Sequence, residues 1–148
     1  MRRTRFDDAP CPIARVTDLF GDWWTPLVLR EAFLGARRFD EFAARLGTPR
    51  AVLTARLARL VDEGLLEKHQ YEDRPPRSEY RLTAKGRAAW DVLAAMWRYG
   101  EDWLFEATDG PALVLVDRET GAAIKPKVID ETTGEPLDLR RTRVRLRR

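Results

Sequence analysis

The stretch that decides the fold is residues 39–83, FDEFAARLGTPRAVLTARLARLVDEGLLEKHQYEDRPPRSEYRLT. Phe39, Phe42, Ala43 and Leu46 recur at helical spacing and stop at Gly47, a residue able to take the left-handed conformation that closes a helix. Thr48 follows with a hydroxyl suited to capping the next helix, and Pro49 fits a first turn, where no amide bond is lost. From Pro49 to Gly64, the set Leu53, Leu57, Leu60 and Val61 defines one face, leaving Arg50, Ala51, Thr54, Ala55, Ala58 and Arg59 on the other side or its edges. Leu65–Tyr71 and Ser78–Leu82 read as two strands of an exposed hairpin, because the Arg74-Pro75-Pro76-Arg77 run between them cannot pair in a central ladder. Two short helices about a tight turn, followed by a basic-tipped ribbon, is the order of a winged helix-turn-helix. That arrangement places a helix in the major groove and the ribbon over the neighbouring backbone.

Upstream, Ile13, Val16, Leu19 and Phe20 predict a helix that starts at Cys11-Pro12 and ends near Gly21. A second helix, Pro26 through Leu34, carries Leu27, Val28, Leu29, Ala32 and Phe33; it is too apolar for a one-sided surface helix and is expected at the buried centre, with Gly35 as its stop. Downstream, Thr83 caps a long helix reaching about Ala107, in which Trp90, Leu93, Trp97, Gly100 and Leu104 recur in steps of three and four, the heptad pattern of a helix seam. After Asp109-Gly110-Pro111, β-branched runs at Val114–Val116 and Val128–Ile129 alternate with turn residues, and the end is basic from Arg140 to Arg148. The predicted fold is α+β, mainly α. A basic arm over 1–10 precedes a winged helix-turn-helix and dimerisation domain over 11–107, and a small β-rich extension with a basic tail occupies 112–148.

The extension holds a short internal repeat, Val116-Asp117-Arg118-Glu119-Thr120-Gly121 beside Ile129-Asp130-Glu131-Thr132-Thr133-Gly134. Each copy has the spacing of a zinc-ribbon knuckle with aspartate and threonine where cysteines would stand. Threonine is a poor zinc ligand and two aspartates without thiolate or imidazole bind zinc weakly, so two β-turns folding without metal are expected.

With 148 residues the chain can build one good core and a small appendage. No apolar run approaches the roughly 20 residues that span a bilayer, and the start lacks the apolar middle of a signal peptide, so a cytoplasmic location is expected. One cysteine, Cys11, and one histidine, His69, leave neither a disulfide framework nor a tetrahedral metal site, and no cofactor is implied. The net charge of +3 argues little by itself; the clustering of arginines at the two ends and around the hairpin argues more. No glycine-rich phosphate loop follows a strand and no nucleophile has a histidine nearby, which speaks against an enzyme.

Arg50, Thr54, Arg56 and Arg59 lie along one helix and are of the types that reach base edges and phosphates. Arg56 sits nearest the apolar face, where its stem can pack inside and its head pair with a carboxylate, so Arg50, Thr54 and Arg59 are the better-placed set. Arg74 and Arg77 flank two prolines that stiffen the ribbon, which lowers the ordering entropy opposing phosphate contact. Lys68 and His69, on the ribbon's first strand, lie within reach of the backbone, and His69 is assigned no chemistry. The five tryptophans, Trp23, Trp24, Trp90, Trp97 and Trp103, either line a pocket for an aromatic effector or fill the core and a dimer seam.

Cys11-Pro12-Ile13, Gly21-Asp22-Trp23-Trp24-Thr25-Pro26-Leu27, Leu34-Gly35-Ala36-Arg37-Arg38-Phe39, Leu53-Thr54-Ala55-Arg56-Leu57 and Glu79-Tyr80-Arg81-Leu82-Thr83-Ala84-Lys85-Gly86 together resemble the HxlR-type transcriptional regulators. The resemblance covers about Cys11 to Leu104, and several motifs in order are far less frequent by chance than one. It implies a cytoplasmic regulator, a repressor by default, that binds double-stranded DNA as a homodimer. Pairing would run through the first and last helices, with Ile13, Val16, Trp90, Leu93, Trp97 and Leu104 in the interface. It also implies two roles for Cys11. A helix start favours thiolate, and a cysteine at the corresponding place is a redox switch in some relatives; alternatively Cys11 is a small buried residue near the dimer contact. The effector, oxidant or small molecule, is not named by the sequence. From another class stands a protein- or RNA-interaction module that keeps the winged fold.

Overall fold

The computed structural model describes residues 5–6, 8–106 and 110–145, so half of the predicted basic arm, the expected helix end at Ala107 and the last three residues of the basic tail lie outside the described residues. Its elements are α1 (Pro12–Phe20), α2 (Trp24–Phe33), α3 (Phe39–Leu46), α4 (Arg50–Asp62), β1 (Leu66–Asp73), β2 (Pro76–Leu82) and α5 (Ala84–Trp103), with a short 3-10 turn at Leu139–Arg141. The fold is mainly α with one two-stranded antiparallel sheet, a winged helix-turn-helix. Contacts divide the chain into two units, Met1–Trp90 and Asp91–Arg148.

In the first unit the core is built from Val28, Leu29 and Ala32 of α2, Phe42 of α3, Leu53, Leu57 and Leu60 of α4, and Leu65 and Leu66 at the start of the hairpin. The central position expected for the second helix is observed. It begins two residues earlier than its proline suggests, because Asp22 Oδ1 accepts the amides of Trp24 and Thr25, both at 2.9 Å. The Thr25 hydroxyl donates to the other oxygen of Asp22. Pro26 then falls inside the first turn, among amides that have no partner within the helix. The α3 start is closed by Glu41, whose Oε2 accepts the amides of Arg37 at 2.7 Å and Arg38 at 3.0 Å.

The turn between α3 and α4 runs through Gly47, at φ 61, whose amide donates to the Ala43 carbonyl at 3.0 Å. The expected cap at Thr48 is corrected: Pro49 takes the cap position, no side chain caps α4, and the buried Thr48 hydroxyl has no hydrogen-bond partner. Thr48 lies one residue too far out, since a capping oxygen must reach the second or third helical amide from the cap itself.

The hairpin pairs Leu66 with Leu82 through Asp73 with Pro76, with an irregularity between Gln70 and Glu72. Its strands are longer than predicted, and only Arg74 and Pro75 remain as the turn; Pro76 is tolerated because it ends the strand, where no ladder amide is required. The segment before α3 joins this ribbon, with Tyr80 donating its amide to the Arg37 carbonyl at 2.7 Å and Arg38 bridging to Glu79.

Thr83 caps α5 as read from the sequence, its Oγ1 accepting the Gly86 amide at 3.0 Å while donating to the Gly64 carbonyl at 2.6 Å. A Cβ on Gly86 would lie 2.0 Å from the Leu65 carbonyl oxygen, so the first turn of α5 crosses the end of the α4–β1 link at backbone contact.

In the second unit the repeat forms two Asx turns. Asp117 Oδ1 accepts the amides of Glu119 at 3.0 Å and Thr120 at 2.8 Å, and Asp130 Oδ1 accepts that of Thr132 at 2.9 Å. The amides of Thr120 and Glu119, together with the Thr120 hydroxyl, hold the Asp117 carboxyl below the usual aspartate range. The β character of the extension is confined to two bridges, Val116 with Ala123 and Ile129 with Pro136.

Candidate nucleic-acid interface

On α4 the exposed side chains are Arg50, Ala51, Thr54, Ala55 and Ala58, with Asp62 at the helix end. Arg50 is steered from α3: its guanidinium lies 4.6 Å from the centre of the Phe39 ring, and Nη1 is 3.3 Å from Asp40 Oδ1. Thr54 donates its hydroxyl to the Arg50 carbonyl at 2.8 Å.

The other two arginines of this helix are turned to its flank. Arg56 Nε lies 3.1 Å from Asp22 Oδ1, the carboxylate pairing anticipated for it. Burial pushes the Asp22 carboxyl up, but the Thr25 hydroxyl and amide, the Trp24 amide and the Arg56 charge outweigh it and hold the group below the usual aspartate range. Arg59 departs from its expected place among the outward set. Its Nη2 donates to the Asp18 carbonyl at 2.6 Å and lies 3.9 Å from Asp18 Oδ2, with a quarter of the side chain exposed. Arg56 borders the Leu53–Leu57–Leu60 face, whereas Arg59 lies about 60° further round the helix and reaches its acid by the length of its stem; the two meet the acids of α1 and its following turn. Asp18 and Asp22 were not singled out from the sequence. The available signal was an acid at position 18 inside the apolar pattern of α1.

At the ribbon tip Arg74 and Arg77 are exposed, and Arg77 Nε lies 3.3 Å from Glu72 Oε2. Lys68 stands 5.9 Å from the Tyr80 ring centre, and His69 Nε2 is 3.0 Å from Glu67 Oε1. Arg38, which the sequence reading passed over, stacks 5.0 Å from the centre of the exposed Tyr71 ring on the same ribbon. An arginine pair just before a helix start was the signal for it.

Of the residues expected at a dimer seam, Ile13 is 77% exposed, Val16 41% and Leu104 70%. Trp90 packs its ring 5.0 Å from that of Phe33, Trp97 is half-buried, and Leu93 is buried within the single chain. Within the single chain, Leu93 and the Trp90 ring thus already have neighbours, and the exposed apolar side chains of that helix are Met96, Tyr99 and Trp103, again three and four apart.

On α1, Pro12, Ile13, Val16 and Phe20 line a shallow groove, while the buried residue of that helix is Asp18. Cys11, at the α1 N-terminus, is exposed in the single chain. The tryptophans do not share one pocket: Trp23 is exposed and Trp90 meets Phe33, whereas Trp97 lines a hollow of about 400 Å³ with Met96, Phe105 and Leu113. Among the described residues no group of three or more His, Cys, Asp or Glu side chains comes together. No described helix is long and apolar enough to cross a membrane.

A short helix pair that leaves one exposed face beside an arginine-tipped ribbon defines the winged-helix class of DNA-binding proteins. Residues 19–108 match the family model described as HxlR-like helix-turn-helix, and the chain belongs to that family. It is 38% identical over 128 residues to the HTH-type transcriptional regulator Rv3095 of Mycobacterium tuberculosis, covering 86% of this chain and 80% of that protein. Among solved structures, PA1607, a candidate transcription factor, superposes with a TM-score of 0.86 at 39% identity over 96% of this chain and 99% of that one. The redox regulator HypR in its reduced form superposes with a TM-score of 0.58 at 28% identity, covering 62% of this chain and 92% of that one.

Proposed function

We propose that the chain is a cytoplasmic, sequence-specific DNA-binding transcriptional repressor without catalytic activity, acting as a homodimer on an inverted repeat. The observation that carries the reading is the α4 face bearing Arg50 and Thr54, followed by a ribbon whose tip exposes Arg74 in the turn and Arg77 on β2. The homodimer is supported by α1, which turns Ile13 and Val16 to solvent and buries Asp18, the reverse of a helix that faces only its own core. Two copies related by a two-fold axis would place their α4 helices in successive major grooves about one helical turn apart. Exposed Cys11 at the α1 N-terminus, together with the likeness to HypR, supports an oxidant as the effector. With one cysteine per chain, a stable oxidised form uses the partner's Cys11 or a small thiol, or persists as a sulfenate.

Selection of bound duplexes from a random library, followed by anisotropy titration across salt concentrations, tests the reading. Log affinity for the selected site should fall linearly with log salt. Arg74→Ala and Arg77→Ala should weaken all sequences alike and lower the salt slope by about one per lost phosphate contact. Arg50→Ala should shift sequence preference, at a cost of about 1–3 kcal/mol. Tighter binding to RNA or to an acidic protein than to any duplex would favour the interaction module instead.

A further inference from the structure

The exposed arc of α4 has an unusual chemistry for a helix that reads DNA. At 3.6 residues per turn, Thr54, Ala58, Ala51, Asp62 and Ala55 fall within an arc of about 100°, with Arg50 at its edge, Asp62 set apart at the last residue of the helix, and the buried leucines on the far side. Of the four arc side chains ahead of Asp62, three are methyl groups with no donor or acceptor, and the Thr54 hydroxyl proton is already given to the Arg50 carbonyl. Arg56 and Arg59, the long donors that could have extended the readout, are held by Asp22 and Asp18 on the flank. Bidentate base recognition on α4 is thereby confined to Arg50 near the helix start.

Resting on the DNA-binding reading above, we infer that the centre of α4 recognises thymine through its 5-methyl group, with Ala51, Ala55 and Ala58 and the Thr54 methyl as the contacting surface. Thymine alone carries a methyl group in the major groove, and alanine and threonine methyls are the side-chain groups that pack against it. Short side chains also let the helix approach the groove floor closely, which long side chains along the arc would prevent. Each half-site therefore carries one or more A·T pairs beneath the middle of α4, oriented by the thymine methyl rather than by hydrogen bonds, beside a contact from Arg50.

The test uses the full chain and the operator obtained by selection. Each thymine is replaced in turn by deoxyuridine, which keeps the base pair and removes only the 5-methyl group. At one or more positions in each half-site the affinity should fall about fourfold, the factor for losing one buried methyl-sized group. The same substitution should cost nothing against the facing variant among Ala51→Gly, Thr54→Ser, Ala55→Gly and Ala58→Gly. If a glycine variant does not fold, the corresponding serine variant serves, since its hydroxyl spoils the apolar contact while keeping the helix.

Unchanged affinity for every deoxyuridine operator overturns the inference. So does a loss that persists undiminished in all the α4 variants, because the methyl would then act through DNA shape. Failure to enrich any sequence is a different result and sinks the DNA-binding reading itself.

Discussion

Asp22 organises three neighbours with one carboxylate: it holds the first amides of α2, accepts the Thr25 hydroxyl, and faces Arg56 of α4. All three interactions favour the ionised form, which is why its carboxyl sits below the ordinary range despite burial. A carboxyl depressed in the folded state stabilises above its unfolded pKa, about 3.9, and that contribution is lost as pH falls through the folded value. Asp22→Asn should therefore lower unfolding free energy by about 1–3 kcal/mol at pH 7, as expected for a hydrogen-bonded charged group. In urea titrations the gap between variant and parent should shrink once pH drops below about 4. A gap that stays constant from pH 7 to pH 3 would show that the charge plays no part.

Gly86 and Thr83 illustrate how a helix start can be read correctly and still hide its most constrained residue. The hydroxyl ahead of α5 was visible in the sequence because a threonine precedes a long periodic pattern. The need for glycine three residues later comes from the Leu65 carbonyl, which is close in space but 21 positions away, and no local pattern reports it. Gly86→Ala should cost about 1–3 kcal/mol or more, because backbone has to move. Gly100→Ala on the same helix, with nothing within 4 Å of the added carbon, should instead gain up to about 1 kcal/mol of helix propensity. Denaturant unfolding of the two variants side by side checks the opposite signs. Thr48 failed as a cap for a related reason, since Pro49 took that place and shifted the helix start by one residue. Arg59 was misplaced because a long side chain goes to whatever acceptor lies within its reach, and Asp18 is 41 residues away in sequence.

For the molecule as a whole, element order and core were legible because apolar spacing of 3.6 for helices and turn residues at the hairpin agree with the long-range packing here. Which apolar face meets a second copy was not, since a stripe reads the same whether it covers its own core or a partner. That ambiguity separates Ile13 and Val16, exposed in the single chain, from Leu93, which is buried. Combining Ile13→Asp with Val16→Asp should yield a folded monomer by light scattering, with its circular dichroism unchanged and its affinity for the inverted repeat reduced by orders of magnitude, as loss of bivalency predicts. A dimer that survives both changes would move the interface elsewhere. The ion pairs at the flank of α4 give this geometry a further meaning. Arg56 and Arg59 act as tie rods from α4 to the acids at and just beyond the far end of α1, while Cys11 sits at its near end. Under the proposed oxidant response, a chemical event at that cysteine which tilts α1 would either snap these struts or drag α4 along, over a lever only nine residues long.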